Sequence, residues 1–261
     1  MKQRIVTGAV AAVFFLLFLQ MGGWAFSLLM IAMALVGYHE FLRIHRIPAT
    51  DAVALIGFAA AAFLASPDDV RDALGGLPVG SVLWIAMFVL LAATVVTKNR
   101  TTLAVAAVVL LGALYIGLGF HYMTVTRTEH GLFWSYLVFI CIWLTDIGAY
   151  FTGMVLGKRR LWPEISPKKT IEGAIGGTVF AVLAALVMAW IDPGRLSVPN
   201  AVLIGLVIAV AGQMGDLIQS AYKRVAGVKD SGTLLPGHGG VLDRTDSWLI
   251  VFPLVHVLQL I

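Results

Sequence analysis

Long apolar runs alternate with short polar breaks along the whole chain. Nine runs approach membrane-crossing length, near residues 5–21, 23–39, 50–66, 80–97, 102–120, 132–154, 173–191, 199–221 and 247–261. A helix needs about 20 apolar residues to cross the hydrocarbon core of a bilayer, and the third and ninth runs are short of that. Lipid offers no water to unpaired backbone groups, so runs of this kind predict α-helices. The expected fold is an all-α polytopic membrane protein with about nine transmembrane helices, forming a single integral membrane domain over 1–261. Lys2 and Arg4 precede the first run as in a signal peptide. No clear small-residue cleavage site follows, so that run is expected to remain as a helix.

Composition supports this reading. Apolar residues make up 60% of the chain and charged residues 12%, against about 45–50% and 25% in soluble domains. The single cysteine, Cys141, lies within an apolar run, which excludes a disulfide framework and suits a small packing residue. Nine spans with a cytoplasmic N-terminus place almost all of the 18 Lys and Arg residues inside; only Arg71, Arg127 and Arg195 fall in outer loops. The positive-inside rule therefore predicts that orientation. Trp24, Trp84, Trp134 and Trp190 fall near the outer ends of spans, as an aromatic belt would.

Polar chemistry concentrates in two cytoplasmic stretches, about 155–171 and 223–245. Charges in or beside a bilayer are costly, so their clustering marks a functional site. On the eighth run, Asp216, Ser220 and Lys223 follow i, i+4, i+7 spacing and share one helix face. An Asp216–Lys223 pair that only settles helix packing is the plainer reading. Next comes Pro236-Gly-His-Gly-Gly240. Glycines there let successive amides approach an anion, as in a phosphate-binding nest, or simply make a tight turn. His238 is expected to donate a hydrogen bond to phosphate, with proton carrier or ligand as alternatives. Asp243 and Asp246 flank Arg244 at the start of the ninth run; three apart, both can face the same way across the first helical turn. Helix capping explains one of these acids well, but not both together with Asp216 and Asp230. Several carboxylates repel unless a cation joins them, and oxygen ligands suit a hard ion, so Mg²⁺ is expected. Arg244, Lys223, Arg224 and Lys229 would then hold phosphate oxygens.

A second polar group surrounds the sixth run. Asp146 lies in Thr145-Asp-Ile-Gly-Ala-Tyr-Phe-Thr-Gly153, about twelve residues before Lys158. Lys158, Arg159 and Arg160 read as a positive-inside anchor. In Ser166-Pro-Lys-Lys-Thr-Ile-Glu-Gly173, Ser166 and Pro167 suit a helix start, and Lys168 and Lys169 suit a phosphate. Gly173 and Gly177 form a G-x-x-x-G packing seam. No Walker A loop, Ser/His/Asp arrangement or Cys/His cluster is present in the sequence. The residues by themselves suggest metal-assisted phosphoryl or nucleotidyl transfer at the inner membrane face.

The run Ser220–Asp246 closely resembles the signature of the phosphatidate cytidylyltransferases (CDP-diacylglycerol synthases). The two upstream motifs, at 145–153 and 166–173, look like that family's in the expected order. Tyr222 and Gln219 depart from it, where an aliphatic or Phe and a Glu are expected. The resemblance implies transfer of a cytidylyl group from CTP to phosphatidic acid with Mg²⁺, by a homodimeric protein in the bacterial inner membrane, its active site facing the cytoplasm. Two cations, or one and a ring of Lys and Arg, would screen the reactants' charge. The family's metal aspartates map onto Asp216 and Asp243 with Asp246 close by, and its signature lysine onto Lys223. The substrate-contact set expected is then Asp146, Lys168, Lys169, Ser220, Arg224, Lys229, Asp230, His238, Gly239, Gly240 and Arg244. No nucleic-acid partner is expected. The rival readings are another lipid phosphate as acceptor, or an ion-coupled transporter. Polar residues concentrated on one side favour an enzyme.

Overall fold

In the computed structural model, residues 2–234, 237 and 239–261 are described, with the backbone alone for 2–5. His238, and the side chains of Lys2 and Arg4, lie outside the described residues. Helix follows the apolar runs: α1 (Lys2–Met21), α2 (Gly23–Ile44), α3 (Ala52–Ala65), α4 (Asp68–Ala73), α5 (Val79–Val96), α6 (Leu103–Val125), α7 (Leu132–Leu156), α8 (Ile171–Ile191), α9 (Val198–Val225), α10 (Leu242–Thr245) and α11 (Trp248–Val257), of which α4 and α10 are short polar helices between the runs. A π-helical turn, Thr126–His130, extends α6.

Six of these helices are long and apolar enough to cross a membrane, among the described residues. The other three apolar stretches, Val6–Met21, Ala52–Ala65 and Trp248–Val257, are helical but shorter. At 1.5 Å per residue, the ten residues of α11 reach only about 15 Å, half of a roughly 30 Å hydrocarbon core. Pro253 lies inside α11.

The chain divides into two compact units. The first comprises the chain up to Thr128 with Asp230–Arg244; the second comprises Glu129–Lys229 with Thr245–Ile261.

In the first unit, α6 packs against α2 and α3. Tyr38, fully buried on α2, donates its hydroxyl to the Val109 carbonyl on α6 at 3.0 Å. Arg127 closes the far end, with Nε donating to the Leu19 carbonyl at 2.6 Å. In the second unit, α8 lies between α7 and α9, and α11 packs on α9. Helices that share no hydrophobic drive in lipid associate through small residues that let backbones approach. Gly173 and Gly177 do this as the G-x-x-x-G spacing predicts. A β-carbon on Gly177 would sit 2.6 Å from the Thr145 carbonyl of α7, and one on Gly173 would sit 2.8 Å from that of Ala149. Cys141 is buried in the same seam, its thiol 3.5 Å from the Ala181 carbonyl.

Two local expectations are corrected. Ser166 and Pro167 do not begin a helix. They open β2 (Ser166–Thr170), which pairs antiparallel with β1 (Arg160–Trp162). Proline disfavours helical backbone in the residue before it and promotes extended structure. Helix α8 starts instead at Ile171, capped by Thr170, whose Oγ1 accepts from the Gly173 amide at 3.1 Å. Asp243 and Asp246 do not share the first turn of one helix either. Asp243 belongs to the single turn α10, and the chain breaks helix at Asp246 and Ser247 before α11. The Ser247 hydroxyl is drawn to the Gly212 carbonyl of α9 at 3.0 Å, and the Asp246 carbonyl lies against Gly215.

Replacing Gly177 with Val should force α7 and α8 apart at cost of about 1–3 kcal/mol. Thermal unfolding in detergent, followed by helical circular dichroism, should show a lower melting temperature for Gly177→Val than for the parent chain.

Candidate active site

The hairpin explains how a lysine reaches an acid of α9. Glu172, in the first turn of α8, accepts the amides of Lys158 and Arg159 at 3.0 and 3.2 Å, a place where the helix dipole favours an acid. The Arg224 Nε, in the last turn of α9, donates to the Ile165 carbonyl at 3.1 Å. Strand β2 is thus held beside the end of α9. Neighbouring residues of a strand point to opposite faces. Lys168 is exposed, whereas Lys169 turns inward and places Nζ 2.5 Å from Asp216 Oδ2.

Asp216 is half-buried and also accepts the Ser220 hydroxyl on Oδ1 at 3.3 Å, as their i, i+4 spacing predicts. Its ammonium partner is a residue of the hairpin, which helix spacing does not reveal. Asp246, outside any helix long enough to span, accepts the Ser247 amide at 2.8 Å. Burial, first, and then the charge of Asp216 push its carboxyl up to about 7; Asp146 adds to the rise, and the Ser247 amide and Lys223 oppose it. Lys223 itself is buried. The second unit therefore groups Asp216, Asp246 and Asp146 with Lys169 and Lys223 through hydrogen bonds and charge.

Asp216 and Asp246 are the carboxylates of this group that could hold a divalent cation. The charge of Asp216 acts on Asp246, and the Lys169 ammonium stands beside Asp216. Among the described residues, no group of three or more His, Cys, Asp or Glu is arranged to hold a metal ion. Mg²⁺ is commonly held by one or two carboxylates, its remaining positions filled by water and substrate phosphates. When bound, it would supply positive charge between phosphate oxygens.

The first unit carries the glycine-rich loop and Asp243. Asp243 Oδ2 accepts from the Ser231 amide at 2.8 Å, the Ser231 hydroxyl at 3.0 Å and the Gly240 amide at 2.9 Å. These are loop donors and not the amides of a following helix, so Asp243 is no simple cap. The amides of Val241 and Leu242 donate to Glu40 of α2 at 2.9 and 3.0 Å. Three successive amides, Gly240 to Leu242, are thus held by the protein's own carboxylates. Gly239 takes φ +83°, a left-handed conformation suited to glycine. Lys229, Asp230 and Arg244 are exposed. The sequence reading did not single out Glu40. It directly follows the second apolar run, between His39 and Arg43, and an acid at that membrane-proximal position was the available signal.

Comparison with known proteins places these motifs in context. The sequence profile of the cytidylyltransferase family matches residues 2–261. The chain belongs to that family. A protein named phosphatidate cytidylyltransferase from Bacillus subtilis (strain 168) is 41% identical over 261 residues, spanning 99% of this chain and 97% of its own. Proteins of the same name from Staphylococcus haemolyticus (strain JCSC1435) and Staphylococcus aureus (strain COL) are 38% and 37% identical over 258 residues, each spanning 99% of this chain and 98% of its own. The signature Ser220–Asp246 thus sits within a likeness that runs nearly end to end.

Lys169→Met should leave Asp216 facing Asp246 without its ammonium. Both partners are partly solvated, so the loss expected in divalent-free buffer is only about 1 kcal/mol. Adding Asp216→Asn should recover most of it, since the repelling charge is then gone; scanning fluorimetry of the two variants in detergent checks both.

Proposed function

We propose that this protein transfers a cytidylyl group from CTP to phosphatidate, giving CDP-diacylglycerol and pyrophosphate for phospholipid synthesis. Family membership and the full-length likeness to proteins of that name support the reaction. The observation that carries it in this chain is the grouping of Asp216 and Asp246 with Lys169 and Lys223 around the end of α9.

The chemistry suits such a site. A phosphate monoester loses its second proton near pH 6, so the attacking oxygen is largely ionised and needs no strong base. It forms a bond to the α-phosphorus of CTP while the bond from that phosphorus to the bridging oxygen breaks and pyrophosphate leaves. The obstacle is repulsion between two anions, and preorganised positive charge lowers it. Lys223, Arg224, Lys229 and Arg244, with Lys168 and Lys169, are proposed to meet phosphate oxygens. Asp216 and Asp246 are proposed to hold Mg²⁺, with Asp243 as a third ligand on sequence grounds alone. The three shorter apolar helices are proposed to complete nine membrane segments, with the N-terminus and active site on the cytoplasmic side of a bacterial inner membrane. A homodimer is proposed as the working form.

The purified chain, given α-labelled CTP, phosphatidate and Mg²⁺, should release a labelled lipid that migrates as CDP-diacylglycerol. Chelating the divalent ion should stop it. Polyprenyl phosphate as acceptor should yield no comparable product; a preference for it would replace phosphatidate in this reading. Asp243→Asn should lose on the order of 100-fold or more in turnover with helix content unchanged, and near-normal turnover in excess Mg²⁺ would end the role assigned to Asp243.

A further inference from the structure

Glu40 lies on α2, some 190 residues before the glycine-rich loop, and is 4% exposed. A buried carboxylate is costly unless donors surround it. All the donors described above come from that loop: the amide of Val241 on Oε1, and on Oε2 the amide of Leu242 together with the Ser231 hydroxyl at 2.8 Å. The same hydroxyl lies 3.0 Å from Asp243 Oδ2. A serine hydroxyl has one proton, so it serves one carboxylate at a time and ties both to a single point. Arg43, on the next turn of α2, donates to the Ser231 carbonyl at 2.7 Å. A β-carbon on Gly232 or Gly240 would strike the Glu40 carboxylate. Those two glycines are therefore required by the close approach of the protein's own acid.

We infer that Glu40 is a positioning residue for cytidylyl transfer, gathering the backbone at 240–242 and, through Ser231, setting the orientation of Asp243. This rests on the reaction proposed above. Glu40 is buried, so it has no part in touching substrate; it acts through the loop. Glutamine keeps the volume but replaces one acceptor oxygen with an NH₂ donor, which would oppose an amide of the loop.

The test compares the full chain with Glu40→Gln, Ser231→Ala and the double variant, varying CTP and phosphatidate separately. Glu40→Gln should lose about 100-fold in kcat/KM for CTP, the scale of a misplacement near 1 Å, at a near-parental melting temperature. The KM for phosphatidate should stay within about threefold. Ser231→Ala should lose about tenfold, and the double variant should be no worse than Glu40→Gln, because both cut one network. Parental kinetics in Glu40→Gln, or losses that multiply in the double variant, would overturn the inference. Should Glu40→Gln fail to fold, Ser231→Ala decides: impaired use of CTP at parental stability supports the inference, and unchanged turnover sinks it. A parental chain inactive on CTP and phosphatidate refutes the reaction instead. Hydrogen exchange at amides 240–242 then reads the hold of Glu40, faster in Glu40→Gln if it positions the loop and unchanged if it does not.

Discussion

A carboxylate withdrawn from water must find donors or positive charge nearby, and this constraint organises the polar part of the protein. The apolar helices offer neither. The acids therefore sit where backbone amides or lysines converge at helix ends. Asp216 finds the ammonium of Lys169; Asp243 and Glu40 find amides of the loop after α9. Asp246 is the least compensated, its carboxyl raised by burial and by Asp216.

The two units solve the same problem by different means. In the second, side chains do the work: a two-stranded hairpin delivers a lysine to an acid of a neighbouring helix. In the first, main chain does it. Three consecutive amides close on two carboxylates, and glycine at 232 and 240 permits the approach. A glycine-rich loop next to phosphate chemistry invites the view that its amides cradle the nucleotide. Here the amides of Gly240, Val241 and Leu242 bind protein oxygens, so these three are already engaged by the protein's own carboxylates.

Much of the fold was legible because lipid allows few alternatives. Each long apolar run became a helix, the seam at Gly173 and Gly177 fell where its spacing placed it, and the Asp216–Ser220 contact followed from one helical turn. Boundaries were less legible. Ser166 and Pro167 carry the composition of a helix start, yet the extended bias before proline made a strand. The break at Asp246 and Ser247 depends on contacts to Gly212 and Gly215, more than thirty residues upstream. Those contacts leave no local mark in the sequence.

The amino-acid sequence alone determined the membrane-protein class, the helical segments and the residues of the family signature, because hydropathy and motif spacing are local properties of a chain. Only the tertiary structure decided which charges meet. Lys169 with Asp216, and Glu40 with Ser231, Val241 and Leu242, are pairs separated by dozens to just over two hundred positions. Their meeting depends on how helices pack and how a hairpin folds back, and burial then gives each meeting its energetic weight.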